Sequence, residues 1–89
     1  MHQDIVESRR RYNVHRATVA AGIVADHIIG GPTGPSVAGR YAGELMAADG
    51  RTRQRALMAA LDVLRVARPG EVAGLTVDDM EEHVREVAA

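Results

Sequence analysis

The 89-residue chain contains no cysteine, phenylalanine, tryptophan or lysine. Without cysteine there is no disulfide, no thiolate nucleophile and no cysteine-based zinc site. Tyr12 and Tyr41 are the only aromatic residues, so the rings that normally carry much of a small core's buried area are missing. Stacking of single-stranded bases on aromatic platforms is excluded on the same ground. A short domain with so light a core usually leans on disulfides, metals or association, and association is the support expected here. Long apolar runs are also lacking. The longest, Ala17 to Ile29, is interrupted by Asp26 and His27 and falls well short of the roughly 20 residues of a membrane span. Met1 to Arg11 is polar and charged, unlike a secretory signal. No membrane contact and a cytoplasmic location are therefore expected. The formal charge is −1, too small to draw the whole molecule to nucleic acid or lipid. All eleven basic residues are arginine. GC-rich coding accounts for that together with the excess of Ala, Val and Gly; the functional alternative is arginine's forked recognition of phosphate and carboxylate.

What is present is helical. Proline- and glycine-marked breaks at Gly30 to Pro35 and at Pro69-Gly70, with a weaker one at Asp49-Gly50, separate four segments without strand-like alternation. They predict one all-α domain, an array of about four helices near residues 3–29, 35–48, 51–67 and 76–88, with 30–35 as connector and a long first helix. Pro35 suits a first helical position, and Asp49 an N-cap. Thr76 with Asp79 forms an approximate capping box, with Leu75 and Met80 at the hydrophobic-staple positions. Leu57, Leu61 and Leu64 make one stripe with Ala60 and Ala67; Val37, Tyr41 and Leu45 are spaced to share another. Gly39 and Gly43 each cost a helix interior about 0.8–1.0 kcal/mol, which suggests close approach of a neighbour. The row Ala17, Ala21, Ala25 is the expected partner. The stretch from Thr52 to Val84, a helix, a short turn and then Leu75-Thr76-Val77-Asp78-Asp79, resembles the helical DNA-clasping domain of tyrosine recombinases in cap and spacing features; no catalytic motif is shared and no residue role is implied.

Few residues suggest catalysis. Ser8 and Ser36 are the only serines, and neither has the setting of an activated nucleophile. His2, His15, His27 and His83 form no ligand spacing; Asp79 and His83, four apart, read as a surface ion pair. Gly30 to Pro35 lacks the Lys-Ser/Thr of a phosphate loop and reads as a helix stop. No enzyme activity, metal or cofactor is expected.

Two features carry functional expectations. At 3.6 residues per turn, the apolar residues between Ala17 and Ile29 spread over roughly 280° of the helix circumference, where a surface helix shows a stripe of about 100° or a little more. Three short helices cover part of that arc. A second copy, with a dimer favoured, or a partner protein is expected to meet the rest, through Ala17, Val19, Ala21, Ile23, Val24 and Ile28 with Gly39 and Gly43. The second feature is a pair of arginine clusters: Arg9, Arg10, Arg11 and Arg16 with His15, and Arg51, Arg53 and Arg55. The latter sits at the positive end of its own helix dipole, an electrostatic cost of the kind that marks functional sites. An acidic partner or duplex DNA phosphates are what such clusters would contact. The expected function is a non-enzymatic interaction module; the alternative is a DNA-binding accessory or regulatory protein.

Overall fold

The short polar side chains and prolines that punctuate the chain are also what start and stop its helices. The computed structural model describes the backbone of residues 2–89 and the side chains of residues 9, 11 and 13–89. It contains helices α1 (His2–Ile28), α2 (Pro35–Ala47), α3 (Gly50–Ala67) and α4 (Val77–Ala88), with a 3-10 turn at Pro69–Glu71. No strand occurs among the described residues. Asp49 caps α3 by accepting the Thr52 N–H at 2.8 Å. The capping box of α4 is closed in both directions, Asp79 N–H to the Thr76 hydroxyl at 3.1 Å and Thr76 N–H to the Asp79 carboxylate at 3.0 Å. α1 is a single helix through Tyr12 and Asn13. At 1.5 Å per residue it is on the order of 40 Å long, which accounts for a molecule measuring 47 × 27 × 21 Å.

One face of α1 packs against both α2 and α3, and α4 closes the core, mainly against α2. The core is built largely of alanine: Ala17, Ala20, Ala21 and Ala25 from α1, Ala42 from α2, and Ala56 and Ala60 from α3 surround Leu45, Leu57, Leu61, Met80, Val24 and Val84. Short side chains let the helix axes approach closely, which offsets in packing density what the absent rings would have supplied in area. Among the described residues no polar side chain is fully buried, and no buried side-chain polar atom lacks a partner.

α2 departs from its expected faces. Its buried residues are Ala38, Ala42 and Leu45, while Val37 is 48% exposed. The inward face is therefore turned onto the small residues. Nor does the glycine pair meet the alanine row. A Cβ on Gly39 would stand in ordinary contact, 3.4 Å from the Val87 carbonyl oxygen of α4, and one on Gly43 would meet nothing within 4 Å. Gly43 has no close neighbour to repay its backbone freedom.

The α1–α2 connector does have such a neighbour. Asp26 accepts the Thr33 N–H at 3.0 Å and the Thr33 hydroxyl at 2.6 Å. The Nδ1–H of His27 donates to the Thr33 carbonyl at 2.9 Å. The two Thr33 bonds hold the Asp26 carboxyl below the usual carboxylate range. A Cβ on Gly31 would collide with all three atoms of that carboxylate. Opposite outcomes follow for two glycines. Gly43→Ala should raise stability by about 0.8–1.0 kcal/mol, whereas Gly31→Ala should lower it by about 1 kcal/mol or more by displacing Asp26; urea melts of the two variants check both signs.

Candidate interaction surface

Two helix faces hold the residues singled out by the sequence, and the packing divides each into a buried and an open part. On α1, Ala17, Ala21 and Val24 are buried inside the chain. Ile28 is partly buried against the same cluster. Ile23 is half-buried and Val19 is 45% exposed. The broad apolar arc is thus largely absorbed by α2 and α3, and its open remainder is Val19 and Ile23.

That remainder continues onto α2. Arg16 donates to Glu44 at 2.9 Å across the α1–α2 hairpin, which marks where the two helices face each other. Seven residues return a helix to nearly the same angle. Ile23, seven after Arg16, and Val37, seven before Glu44, therefore occupy the same two facing edges, both two turns nearer the connector. By this geometry Val19, Ile23 and Val37 fall on one side of the α1–α2 hairpin, toward the connector from the Arg16–Glu44 pair. Gly39 and Gly43 are not at the centre of this group.

The arginines separate in the same way. Arg9 and Arg11 are exposed on the N-terminal half of α1; the side chain of Arg10 lies outside the described residues. Arg16 is engaged by Glu44. In α3 the three arginines have different surroundings. Arg53 turns inward: its Nε donates to both Glu81 oxygens of α4 at 2.9 and 3.0 Å, and its Nη1 to the carbonyls of Leu45 and Ala48 at 3.3 and 3.1 Å. A positive charge thereby sits on the negative end of α2, and one guanidinium ties α2, α3 and α4 together. The electrostatic conflict read at the start of α3 is, for Arg53, answered by the end of its neighbour. Sequence inspection missed this role, although a signal was there: Arg53, Leu57 and Leu61 recur every fourth residue, so Arg53 heads the leucine stripe that faces the core. Arg51 and Arg55 are exposed, with no ion-pair partner among the described residues.

Other chemistry is sparse. His83 faces Glu86, with Nδ1 3.7 Å from its carboxylate, while Asp79, expected opposite His83, is taken by the cap. The Thr76 bonds hold the Asp79 carboxyl below its ordinary range. No group of three or more metal-ligating side chains occurs among the described residues. A groove of about 360 Å³ lies between α1 and the α2–α3 turn, lined by Asn13, Arg16, Glu44, Asp49 and Thr52 among others. Its charged groups are already matched within it, Arg16 to Glu44 and Asp49 to Thr52. No described helix is long and apolar enough to cross a membrane. No family model matches the chain, and neither a characterised protein nor a solved structure is significantly similar to it.

Proposed function

We propose that the protein is a non-enzymatic interaction module that docks another protein chain on the open part of the apolar half of α1. The observation that carries this reading is the patch of Val19, Ile23 and Val37. Scattered apolar residues on a surface need no explanation, but a group on one side of two packed helices does. The Arg16–Glu44 pair gives the patch a polar rim, the usual anatomy of a docking face. Co-purification with cross-linking from the native host tests it. The unsubstituted chain should retain a protein other than itself that the double variant Val19→Asp, Val37→Asp loses while its circular dichroism is unchanged. Retention of the same proteins by both would remove the patch from consideration.

The alternative, contact with duplex DNA phosphates, is supported by Arg51 and Arg55, exposed one turn apart without a carboxylate partner among the described residues. Such contact predicts affinity that falls steeply with salt. No binding to mixed duplex even at low salt excludes it.

A further inference from the structure

The outer face of α3 carries an unusual combination. Arg51, Arg55, Met58, Ala59, Asp62, Val63 and Val66 are all exposed, and at 3.6 residues per turn they fall on the side of α3 opposite Leu57 and Leu61. Three of the largest exposed apolar side chains of the molecule are here: Met58 at 47%, Val63 at 65% and Val66 at 86% exposure. The face is polarised along its length. Its N-terminal end has two arginines without a carboxylate partner among the described residues; its C-terminal end has the two valines and Asp62.

A face with one character at each end complements itself when turned end to end. In an antiparallel pairing centred between Met58 and Ala59, Arg55 of each copy stands opposite Asp62 of the other. Arg51 stands opposite Val66, where its aliphatic stem covers the valine and its guanidinium stays in water. The small Ala59 lies at the crossing point, where two helices approach most closely. Every contact occurs twice, as a two-fold interface requires. Among the described residues the competitor for Asp62 is its own Arg65, a 3.2 Å pair with both side chains more than half exposed, and exposed pairs of this kind hold about 0–1 kcal/mol. From Arg51 to Val66 the face is roughly 22 Å long at 1.5 Å per residue. A contact of one helix on one helix lies at the small end of specific interfaces, where association is weak.

We propose that two copies of this chain pair antiparallel through α3, with reciprocal Arg55–Asp62 ion pairs around a Met58–Ala59 centre. This goes beyond the docking patch on α1: it assigns a different face and leaves Val19 and Val37 open to a partner. It also gives Arg51 and Arg55, placed against their own helix dipole, a counter-surface.

Sedimentation equilibrium on the full chain, from about 10 to 300 μM where weak interfaces of this size associate, tests the pairing, with circular dichroism verifying each variant's fold. The unsubstituted chain should populate dimer in this range. Arg55→Asp alone, which sets two carboxylates opposite each other, should weaken the dimer at least about tenfold, as should Asp62→Arg alone. Combining Arg55→Asp with Asp62→Arg restores opposite charges and should return the constant to within about threefold. The control Val19→Asp, Val37→Asp should dimerise normally. A monomer at every concentration overturns the proposal, as do folded single variants of undiminished affinity or a combined variant that stays monomeric. Loss of the dimer only in the Val19, Val37 variant would move the pairing to α1, so failure here and failure of the docking patch are told apart.

Discussion

Leu57→Ala is expected to be among the most damaging single substitutions in this chain, lowering stability by about 3–4 kcal/mol in urea titration and Tm by roughly 15 °C or more. Leu57 is fully buried, and truncation removes its transfer free energy and leaves a hole. How much the hole costs depends on whether neighbours can collapse into it. Here they can do so only in part. Half of the cluster is alanine, with Ala17, Ala21, Ala25, Ala56 and Ala60 among its members, and a methyl group has no side-chain torsion with which to reach a void. The loss therefore belongs toward the upper part of the usual Leu→Ala range of 2–5 kcal/mol. Against the 5–15 kcal/mol that a folded domain typically holds, such a loss leaves a small margin. Met58→Ala, one residue along and on the exposed side of α3, should change stability by less than about 0.5 kcal/mol. A comparable loss at Met58 would mean that α3 is turned differently from the arrangement described.

The leucine stripe was open to sequence reasoning because its residues are large and recur at helical spacing. The caps at Asp49 and Thr76 were equally legible, since a capping box is a local event decided by four residues. The helices begin at 2, 35, 50 and 77 where the sequence predicts 3, 35, 51 and 76, and no end is displaced by more than one residue. What a single helix cannot reveal is where its neighbours stand. Alanine is the difficulty, because it packs equally well inward or at the surface. Between Ala17 and Ile29 the apolar arc is broad, yet its buried part is defined by α2 and α3, which lie on one side and leave Val19 and Ile23 uncovered. Val24, in the same arc, is core. The same ambiguity misdirected Gly39 and Gly43. Their spacing suggested a close helix crossing, but Ala38 and Ala42, one position before each, are among the residues that α2 buries. Asp26 and His27 stood out in sequence as polar residues in an apolar helix; their bond partner Thr33 lies seven and six residues on, across two glycines and a proline, too irregular a path for any periodicity to forecast.

Arg53→Ala should lower stability by about 2–3 kcal/mol. Breaking a fully buried ion pair from one side costs about 3–5 kcal/mol because the remaining charge is stranded; this pair is partly exposed, 12% for Arg53 and 15% for Glu81, which moderates that figure. The Glu81 carboxylate would keep only the more distant Arg85, at 3.8 Å. The Ala48 carbonyl would lose the Arg53 donor as well, and the Leu45 carbonyl would be left with the Ala48 N–H. Arg53→Lys should recover part of the loss, since an ammonium can meet a carboxylate but cannot reach two carbonyls of α2 with the same planar fork. In a double-mutant cycle with Glu81→Gln, the two substitutions should be strongly non-additive, the second costing much less in the absence of the first. Full additivity would mean that the two side chains do not act as a pair. The result bears directly on the nucleic-acid alternative. A triple alanine variant at Arg51, Arg53 and Arg55 would lose affinity for any ligand simply by unfolding a fraction of the molecules. Only Arg51 and Arg55 can be removed without touching the α2–α4 tie. A salt slope that flattens in the variant lacking these two, with its melting curve unchanged, is therefore the form that a phosphate contact must take in this fold.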